Sequence, residues 1–172
     1  MDITYLGHSS FRIKTKTATI ITDPFDPQMV GLKYSGVEGD IVTISHAHND
    51  HNAEAKVSGV KKVFDGPGEY EVMGVSIIGY PSFHDGKGGS ERGKNIIFVF
   101  EAEGLRIAHL GDLGHQLSDD LINEMGSIDI LMIPKERLDT PEVAEPLFTD
   151  IAAKDDVASG FDAGGVKGPD DR

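Results

Sequence analysis

Four side chains that can bind a metal ion fall within six residues, in the run SHAHNDH at positions 45–51. This run follows the apolar segment Ile41–Ile44, whose composition predicts a buried strand. In an extended segment, side chains two residues apart point to the same side. We therefore expect His46 and His48 to direct both imidazoles at one point.

Asp50 and His51 come next, where the chain must turn away from the strand, and they can face a second point a few ångströms away. Two neighbouring points surrounded by such donors form the arrangement of a two-metal site. The alternative is that three histidines in a polar turn are solvated, but imidazoles and a carboxylate are costly to cluster without a cation. The sequence has no cysteine, so nitrogen and oxygen must hold any metal ion.

The run resembles the His-x-His-x-Asp-His signature of the metallo-β-lactamase superfamily. Other segments in the same order are similar to the branch that includes L-ascorbate-6-phosphate lactonase: Tyr5–Phe11, Ile21–Pro24, Gly66–Glu71 and His109–Asp112. The resemblance extends from the N-terminus to about Pro134. It implies a four-layer αββα sandwich of the α/β (α+β) class, with the metal site along one edge and a C-terminal portion that is shortened or atypical.

The resemblance also implies the ligands of a first metal ion, which are His46, His48 and a third histidine from a later strand end. His84 stands in the right place, because it follows a predicted strand and precedes the Gly-rich loop Gly86–Gly93. The alternative is a loop histidine exposed to water.

By the same resemblance, Asp50 and His51 bind a second metal ion, and Asp112 bridges the two ions. The alternative for Asp112 is an ordinary turn aspartate. The family's last ligand histidine has no counterpart, because no histidine follows His115. Either the chain is a shortened member, or a segment is absent, or the protein uses fewer ligands. We interpret His115 as a residue beside the ligands or on the surface, and expect the second site to be weakly occupied or completed by water or another chain.

Three further polar residues lie near the predicted site. His8 follows the first strand and could contact substrate or orient a ligand; alternatively, it is a turn histidine bonded to backbone. Asp23 follows an apolar strand, where a buried acid often accepts a hydrogen bond from the free ring nitrogen of a ligand histidine. His109 alternates with Ile107 along its strand, which is compatible with a structural role.

These residues predict a metal-dependent hydrolase of a small ester, lactone or phosphoester. Two divalent ions would lower the pKa of a shared water, and the hydroxide would attack carbonyl or phosphorus. We expect Zn²⁺, two ions per chain with the second weaker, or else Mn²⁺ or Fe. The catalytic candidates are Asp50, Asp112 and His8. The alternative is a non-catalytic or impaired domain with an incomplete metal site; a nuclease is a third hypothesis.

Composition limits the partners. The chain has 172 residues and a formal charge of −13, which disfavours nucleic acid because phosphate binding needs clustered Lys and Arg. A small anionic substrate stays compatible with this charge, because bound cations dominate the field of a local site. No apolar run approaches the length of a membrane span, and Met1–Thr4 enters a strand without a signal-like segment, so we expect a cytoplasmic protein.

The elements that must position the site are mostly strands. The predicted strands are Ile3–Leu6, Ser10–Lys14, Ala18–Thr22, Asp40–Ser45, Lys61–Phe64, Val75–Tyr80, Asn95–Glu101, Leu105–Leu110 and Ile128–Ile133. Asn52–Val57 and Ser118–Met125 are predicted helices, and Gly66–Tyr70 is interpreted as a loop.

We assign residues 1–134 to the metallo-β-lactamase-like domain and residues 135–172 to an acidic, partly helical or disordered segment. Within that segment, Pro141–Lys154 could form a helix that Pro146 interrupts. The last predicted strand, Ile128–Ile133, lacks its usual neighbour in the sheet. This segment or a second subunit, in a homo-oligomer, would cover the open edge.

Overall fold

The computed structural model describes residues 1–133, in which ten strands form two five-stranded sheets. The first sheet contains β1 (Asp2–Gly7), β2 (Ser10–Lys14), β3 (Thr19–Thr22), β4 (Ile41–Thr43) and β5 (Lys62–Phe64), in that order. The second sheet has the order β10-β9-β8-β7-β6 and contains β6 (Gly68–Val72), β7 (Val75–Phe83), β8 (Lys94–Ala102), β9 (Leu105–His109) and β10 (Ile130–Met132). The described helices are α1 (Pro27–Val30), α2 (Asp119–Met125) and a 3₁₀ turn, Glu54–Lys56.

Both sheets are mixed. Strands β1, β2 and β3 pair antiparallel, and β3, β4 and β5 pair parallel. In the second sheet β6 to β9 form an antiparallel meander, and β10 joins β9 in parallel. The parallel pairs bring the C-terminal ends of β3 and β4 to one edge of the first sheet, and the metal-binding run begins there.

Alternation along the strands builds three hydrophobic clusters. Ile20 and Ile41 face the second sheet and pack with its Phe98 and Phe100, which forms the core between the sheets. The next residue of each strand faces outward. The outward residues of the first sheet form one cluster with the α1 region, and those of the second sheet form another with α2. The predicted sandwich of two sheets with helices outside is therefore confirmed.

The described elements correct two local predictions. The helix predicted over Asn52–Val57 is only the 3₁₀ turn Glu54–Lys56, and its first residue lacks a side-chain cap. The loop predicted over Gly66–Tyr70 is largely strand, because β6 begins at Gly68 and pairs with β7. The predicted helix Ser118–Met125 is confirmed as α2, in which the Ser118 hydroxyl accepts a hydrogen bond from the Leu121 N–H.

Strand β10 is the last strand of the second sheet in the described part of the chain. The predicted helix Pro141–Lys154 and the acidic segment 135–172 lie outside the described residues. Among residues 1–133, no helix combines the length and apolar character needed to cross a bilayer.

Candidate metal centre

The first donor group consists of His46, His48 and His84. One ring nitrogen of each lies within 4.8 Å of the other two. The ring centroids of His46 and His48 are 4.5 Å apart, and that of His84 lies 4.9 Å and 5.0 Å from them. His46 and His84 are buried and His48 is exposed, so the group is open to solvent on one side. The structure thus brings together the three histidines expected at the first site.

His84 is held in position by a close approach between its own backbone and that of Gly114. Strand β7 ends at Phe83, and the His84 N–H donates to the Gly93 carbonyl at 3.0 Å. The Gly114 N–H donates to the Phe83 carbonyl at 2.9 Å. A Cβ at Gly114 would lie 2.2 Å from the His84 carbonyl oxygen, so this approach requires a glycine.

The second donor group consists of His8, Asp50 and His51. His8 Nε2 lies 3.1 Å from His51 Nε2 and 3.2 Å from Asp50 Oδ2. The distance between His51 Nε2 and Asp50 Oδ2 is 3.7 Å. Asp50 and His51 follow β4, whereas His8 comes from the turn between β1 and β2. The structure therefore brings His8 into direct contact with the two residues expected at the second site.

Asp112 lies between the two groups. Its Oδ2 is 3.1 Å from His84 Nε2 and 3.6 Å from His51 Nε2. The preceding Gly111 has a φ of 53°, and a Cβ there would lie 2.5 Å from both Ser45 and Asn95. This tight turn sets Asp112 where one carboxylate can reach both groups, as a bridging ligand must.

The turn that carries Asp112 is held by Asn95, which the sequence predicts only as the start of a strand. Asn95 Oδ1 accepts a hydrogen bond from the Asp112 N–H at 3.0 Å, and its Nδ2 donates to the Leu110 carbonyl at 2.9 Å. Asn95 is buried near the start of β8, next to the apolar run that forms the middle of this strand. A buried side-chain amide needs hydrogen-bond partners. The presence of Asn95 beside an apolar run was therefore the sequence signal that could have indicated its role.

Beneath the donor groups lies the fully buried carboxylate of Asp23. Its Oδ2 accepts from His51 Nδ1 at 2.9 Å, as the sequence predicted, and from the hydroxyls of Ser45 and Ser9 at 2.6 and 3.2 Å. Its Oδ1 accepts from the Ser45 N–H at 2.7 Å. Burial raises the pKa of Asp23, but His109, the His51 hydrogen bond and Ser45 outweigh it and hold the pKa well below its usual range.

These bonds determine the tautomer of His46. Ser45 Oγ donates its single proton to ionised Asp23, so it must accept the hydrogen bond of 2.9 Å from His46 Nδ1–H. Burial and the neighbouring His51 lower the pKa of His46 to about 4, so the ring is neutral at pH 7. Its Nε2 then carries a lone pair, and among the described residues this buried atom has no hydrogen-bond partner.

The same reasoning applies to His51. Its Nδ1 must donate to the Asp23 carboxylate, so the neutral ring offers the Nε2 lone pair to the second donor group. Burial lowers the pKa of His51, but Asp23, Asp112 and Asp50 outweigh it, and the pKa of this ring lies above its ordinary value. The excess of carboxylate charge around Nε2 suits a bound cation as well as it suits a proton.

The donor chemistry therefore fits divalent metal ions. Each donor group offers three nitrogen or carboxylate-oxygen atoms within 4.8 Å of one another, and Asp112 adds a further oxygen. Imidazole with carboxylate suits Zn²⁺, Fe²⁺ and Mn²⁺. The buried and unpartnered Nε2 of His46 is the atom that such an ion would satisfy.

The two remaining histidines lie outside both groups. His109 is fully buried, and its Nε2 donates to the Ser9 carbonyl at 2.9 Å, which agrees with the structural interpretation. His115 Nε2 accepts from the Phe83 N–H at 3.2 Å, and its Nδ1 donates to the Gln116 carbonyl at 2.8 Å. His115 thus lies beside the ligands, as expected, and belongs to neither donor group.

A cleft of about 740 Å³ opens beside the first donor group and is lined by His46 and His48. Apolar side chains form much of its wall: Ile44, Pro67, Pro81, Phe83 and Ile96. Arg92 and Lys94 also line it, and Glu54 and Asp65 supply acidic groups. The cleft is large enough for a small substrate with an apolar body.

The loop that carries Arg92 is held by Asp85, a residue for which the sequence alone predicted no role. The Asp85 carboxylate accepts hydrogen bonds from four backbone N–H groups at 2.7 to 3.0 Å: those of Lys87, Gly89, Glu91 and Arg92. These bonds, with that from Arg92 foremost, hold the pKa of Asp85 well below its usual range. An aspartate before a Gly-rich loop is a turn signal that could have indicated this role.

Comparison with known proteins gives a consistent result. The family model described as a beta-lactamase superfamily domain matches residues 2–147 of the chain. The chain is 30% identical over 161 residues to the "UPF0173 metal-dependent hydrolase" of Thermococcus onnurineus, covering 78% of this chain and 71% of that protein. A protein of the same name from Anoxybacillus flavithermus is 32% identical over 165 residues, covering 78% of this chain and 73% of that protein.

Solved structures agree with the sequence relatives. A metallo-β-lactamase superfamily protein from Thermotoga maritima has a TM-score of 0.62 and 38% identity, covering 87% of this chain and 70% of that chain. An isothiocyanate hydrolase from Delia radicum gut bacteria has a TM-score of 0.58 at 15% identity, covering 85% of this chain and 82% of that chain. The second likeness concerns the fold alone.

Proposed function

The chain belongs to the metallo-β-lactamase superfamily, and we propose that it is a metal-dependent hydrolase that acts on a small ester, lactone or phosphoester. The observation that carries this proposal is the pair of donor groups with Asp112 between them. Such a pair suits two divalent ions, for which we propose Zn²⁺ first and Mn²⁺ or Fe as alternatives.

When bound, such ions supply a water that ionises near neutral pH and a positive charge that polarises the substrate oxygen. Asp50, whose Oδ2 lies 3.7 Å from His51 Nε2, would be the residue placed to hold or move a proton at this site. Partial burial raises the pKa of Asp50, but His51 and His8 outweigh it and hold the pKa below its usual value, so the carboxylate is ionised at neutral pH. Its side chain is partly exposed, so it can pass the proton to the leaving group.

Other residues hold this arrangement in place. Asp112 keeps one carboxylate within reach of both donor groups, and Asp23 fixes the ring orientation of His51. His8 contacts Asp50 and His51 and is therefore a further catalytic candidate. No serine or cysteine nucleophile is needed for this chemistry.

The cleft supports a substrate class. Its apolar wall would take a hydrophobic body, and Arg92 and Lys94 would pair with a negative group of the substrate, while Glu54 and Asp65 bring two acidic groups to the same cleft. We therefore propose a small anionic substrate. We also propose that the protein is cytoplasmic and has no nucleic-acid or membrane partners. Pairing of two copies along the β10 edge belongs to the same proposal.

Metal loading combined with a substrate panel tests the proposed function. The full chain is stripped with a chelator, reloaded with Zn²⁺, and assayed with p-nitrophenyl esters, lactones and bis(p-nitrophenyl) phosphate. We expect turnover only after loading. His48→Ala should abolish it without unfolding the protein, because the side chain is exposed. His115→Gln is the matched control and should keep turnover.

Two results would contradict the proposal. If two ions bind but every substrate class fails, the chain is a non-catalytic domain that retains the metal site. If no ion binds, the donor groups are not a metal centre.

A further inference from the structure

The contacts of His8 go beyond those of a residue that only orients a ligand. Its Nε2 lies 3.1 Å from His51 Nε2 and 3.2 Å from Asp50 Oδ2, which are the two shortest donor-atom separations within the second donor group. His8 is separated from these partners by more than forty residues of sequence, so the fold and not local spacing brings it there. We propose that His8 is a direct ligand of the second metal ion, an inference that rests on the proposed function.

The spacing of the donor atoms fits a tetrahedral ion. Ligand atoms bound at about 2.0–2.1 Å in tetrahedral geometry lie roughly 3.3 Å from one another. Three separations bracket that value: 3.1 Å for His8 to His51, 3.2 Å for His8 to Asp50 and 3.7 Å for His51 to Asp50. Asp112 Oδ2, at 3.6 Å from His51 Nε2, is placed to be a fourth donor. His8, Asp50 and His51 thus offer three donor atoms at separations that suit one ion.

The backbone at His8 lies in the left-handed region. His8 has a φ of 53° in the two-residue turn that joins β1 to β2, a position where Gly, Asn and Asp are common. Four non-glycine residues of the described part have positive φ, and two of them, His8 and Asp23, lie at the donor groups. Strain of this kind persists where the surrounding structure and function require it.

Lone-pair chemistry distinguishes a ligand from a hydrogen-bond donor. His51 Nε2 carries a lone pair, because its Nδ1–H is committed to Asp23. Asp50 contributes a carboxylate oxygen, 3.2 Å from His8 Nε2. The Nε2 of His8 can direct a lone pair at the same point, and all three atoms would then face one cation. All seven histidines of the sequence lie in the described part, and the two outside the donor groups, His109 and His115, hydrogen-bond to backbone carbonyls of other residues.

Zinc binding by full-chain variants tests the inference without any activity assay. Stoichiometry is measured by native mass spectrometry and affinity by calorimetry, with Zn²⁺ alone as the probe. His8→Gly removes the ligand and suits the positive φ, and His8→Asn is a second variant whose residue tolerates that conformation. His115→Gln is the matched histidine control. Circular dichroism checks that each variant is folded.

We expect the wild type to bind two ions, and both His8 variants to retain the first and bind the second at least about 100-fold more weakly. Loss of groups that only orient ligands already costs about 10–100-fold. Added imidazole should restore the second ion to His8→Gly, which a purely structural role would not produce.

The outcomes separate the two proposals. A wild type that binds no zinc refutes the proposed function and this inference together. A wild type with two ions and a His8→Gly protein with the same two affinities overturns only the inference. Loss of the second ion in His115→Gln, with no loss in the His8 variants, would assign the ligand to His115.

Discussion

Replacing Asp23 with asparagine should disable the second donor group without removing any proposed ligand. The Ser45 backbone N–H can only donate, so the amide oxygen of the substituted side chain must take the place of Oδ1. The amide NH₂ then takes the place of Oδ2 and faces His51 Nδ1 at about the former 2.9 Å. The hydroxyls of Ser45 and Ser9 can rotate to accept, but His51 must move its proton to Nε2.

A protonated Nε2 cannot bind a metal ion, so the cost appears as lost affinity. Groups that fix the tautomer of a ligand histidine contribute about 10–100-fold in metal affinity, or roughly 1.4–2.7 kcal/mol. We expect a decrease of this size for the second Zn²⁺ in Asp23→Asn. Calorimetric titration gives the affinities, and ¹⁵N chemical shifts of the imidazole nitrogens report the tautomer directly.

Asp26→Asn is the matched control, because Asp26 caps α1 and asparagine caps a helix equally well. It should bind zinc as the wild type does. An Asp23→Asn protein with unchanged affinity for both ions, or with His51 still protonated at Nδ1, would refute the reasoning about this network.

Three further predictions concern the donor groups and their support. In metal-free protein, the pKa of His46 falls from 6.5 to about 4 on folding, so between these pH values the unfolded chain binds more protons than the folded protein. The free energy of unfolding should therefore decrease as the pH falls from about 6.5 to about 4. Chemical denaturation in chelator should show a smaller decrease for His46→Gln than for the wild type, and an equal decrease would contradict the assignment. Asp50→Ala should abolish turnover while leaving the thermal midpoint in chelator nearly unchanged, since this side chain is partly exposed; outright unfolding or normal turnover would be inconsistent with its role. Gly114→Ala should destabilise the protein by about 1–3 kcal/mol and weaken binding of the first metal ion, because the new Cβ would lie 2.2 Å from the His84 carbonyl oxygen. In the control Gly86→Ala, the Cβ would have its nearest neighbour at 3.8 Å, so the free energy of unfolding and the affinity for the first ion should both stay nearly unchanged.

The parts of the site that the sequence could predict are those set by local spacing. His46 and His48 follow a buried strand, so the twofold alternation of an extended chain determines that they share a side. Asp50 and His51 follow them in the same turn. The strand predictions at β3, β4, β8 and β9 are confirmed for a second local reason, which is that these segments contain runs of apolar residues.

The remaining parts depend on contacts between distant segments. His84 and Asp112 were placed by family resemblance, and the close approach at Gly114 that fixes His84 has no local signature. The contact of His8 with His51 requires the β1–β2 turn to meet the end of β4 across the first sheet. The partners of Asn95 depend likewise on how β8 and β9 meet, which periodicity alone does not determine.

Crystals of the full chain loaded with Zn²⁺, measured at the zinc absorption edge, would test the presence of two bound ions most directly. We predict two anomalous peaks. One should lie about 2.0–2.1 Å from ring nitrogens of His46, His48 and His84, and the other at similar distances from His51 and Asp50. Anomalous density absent from both positions, or zinc bound only elsewhere on the molecule, would contradict the assignment of these residues as a metal centre.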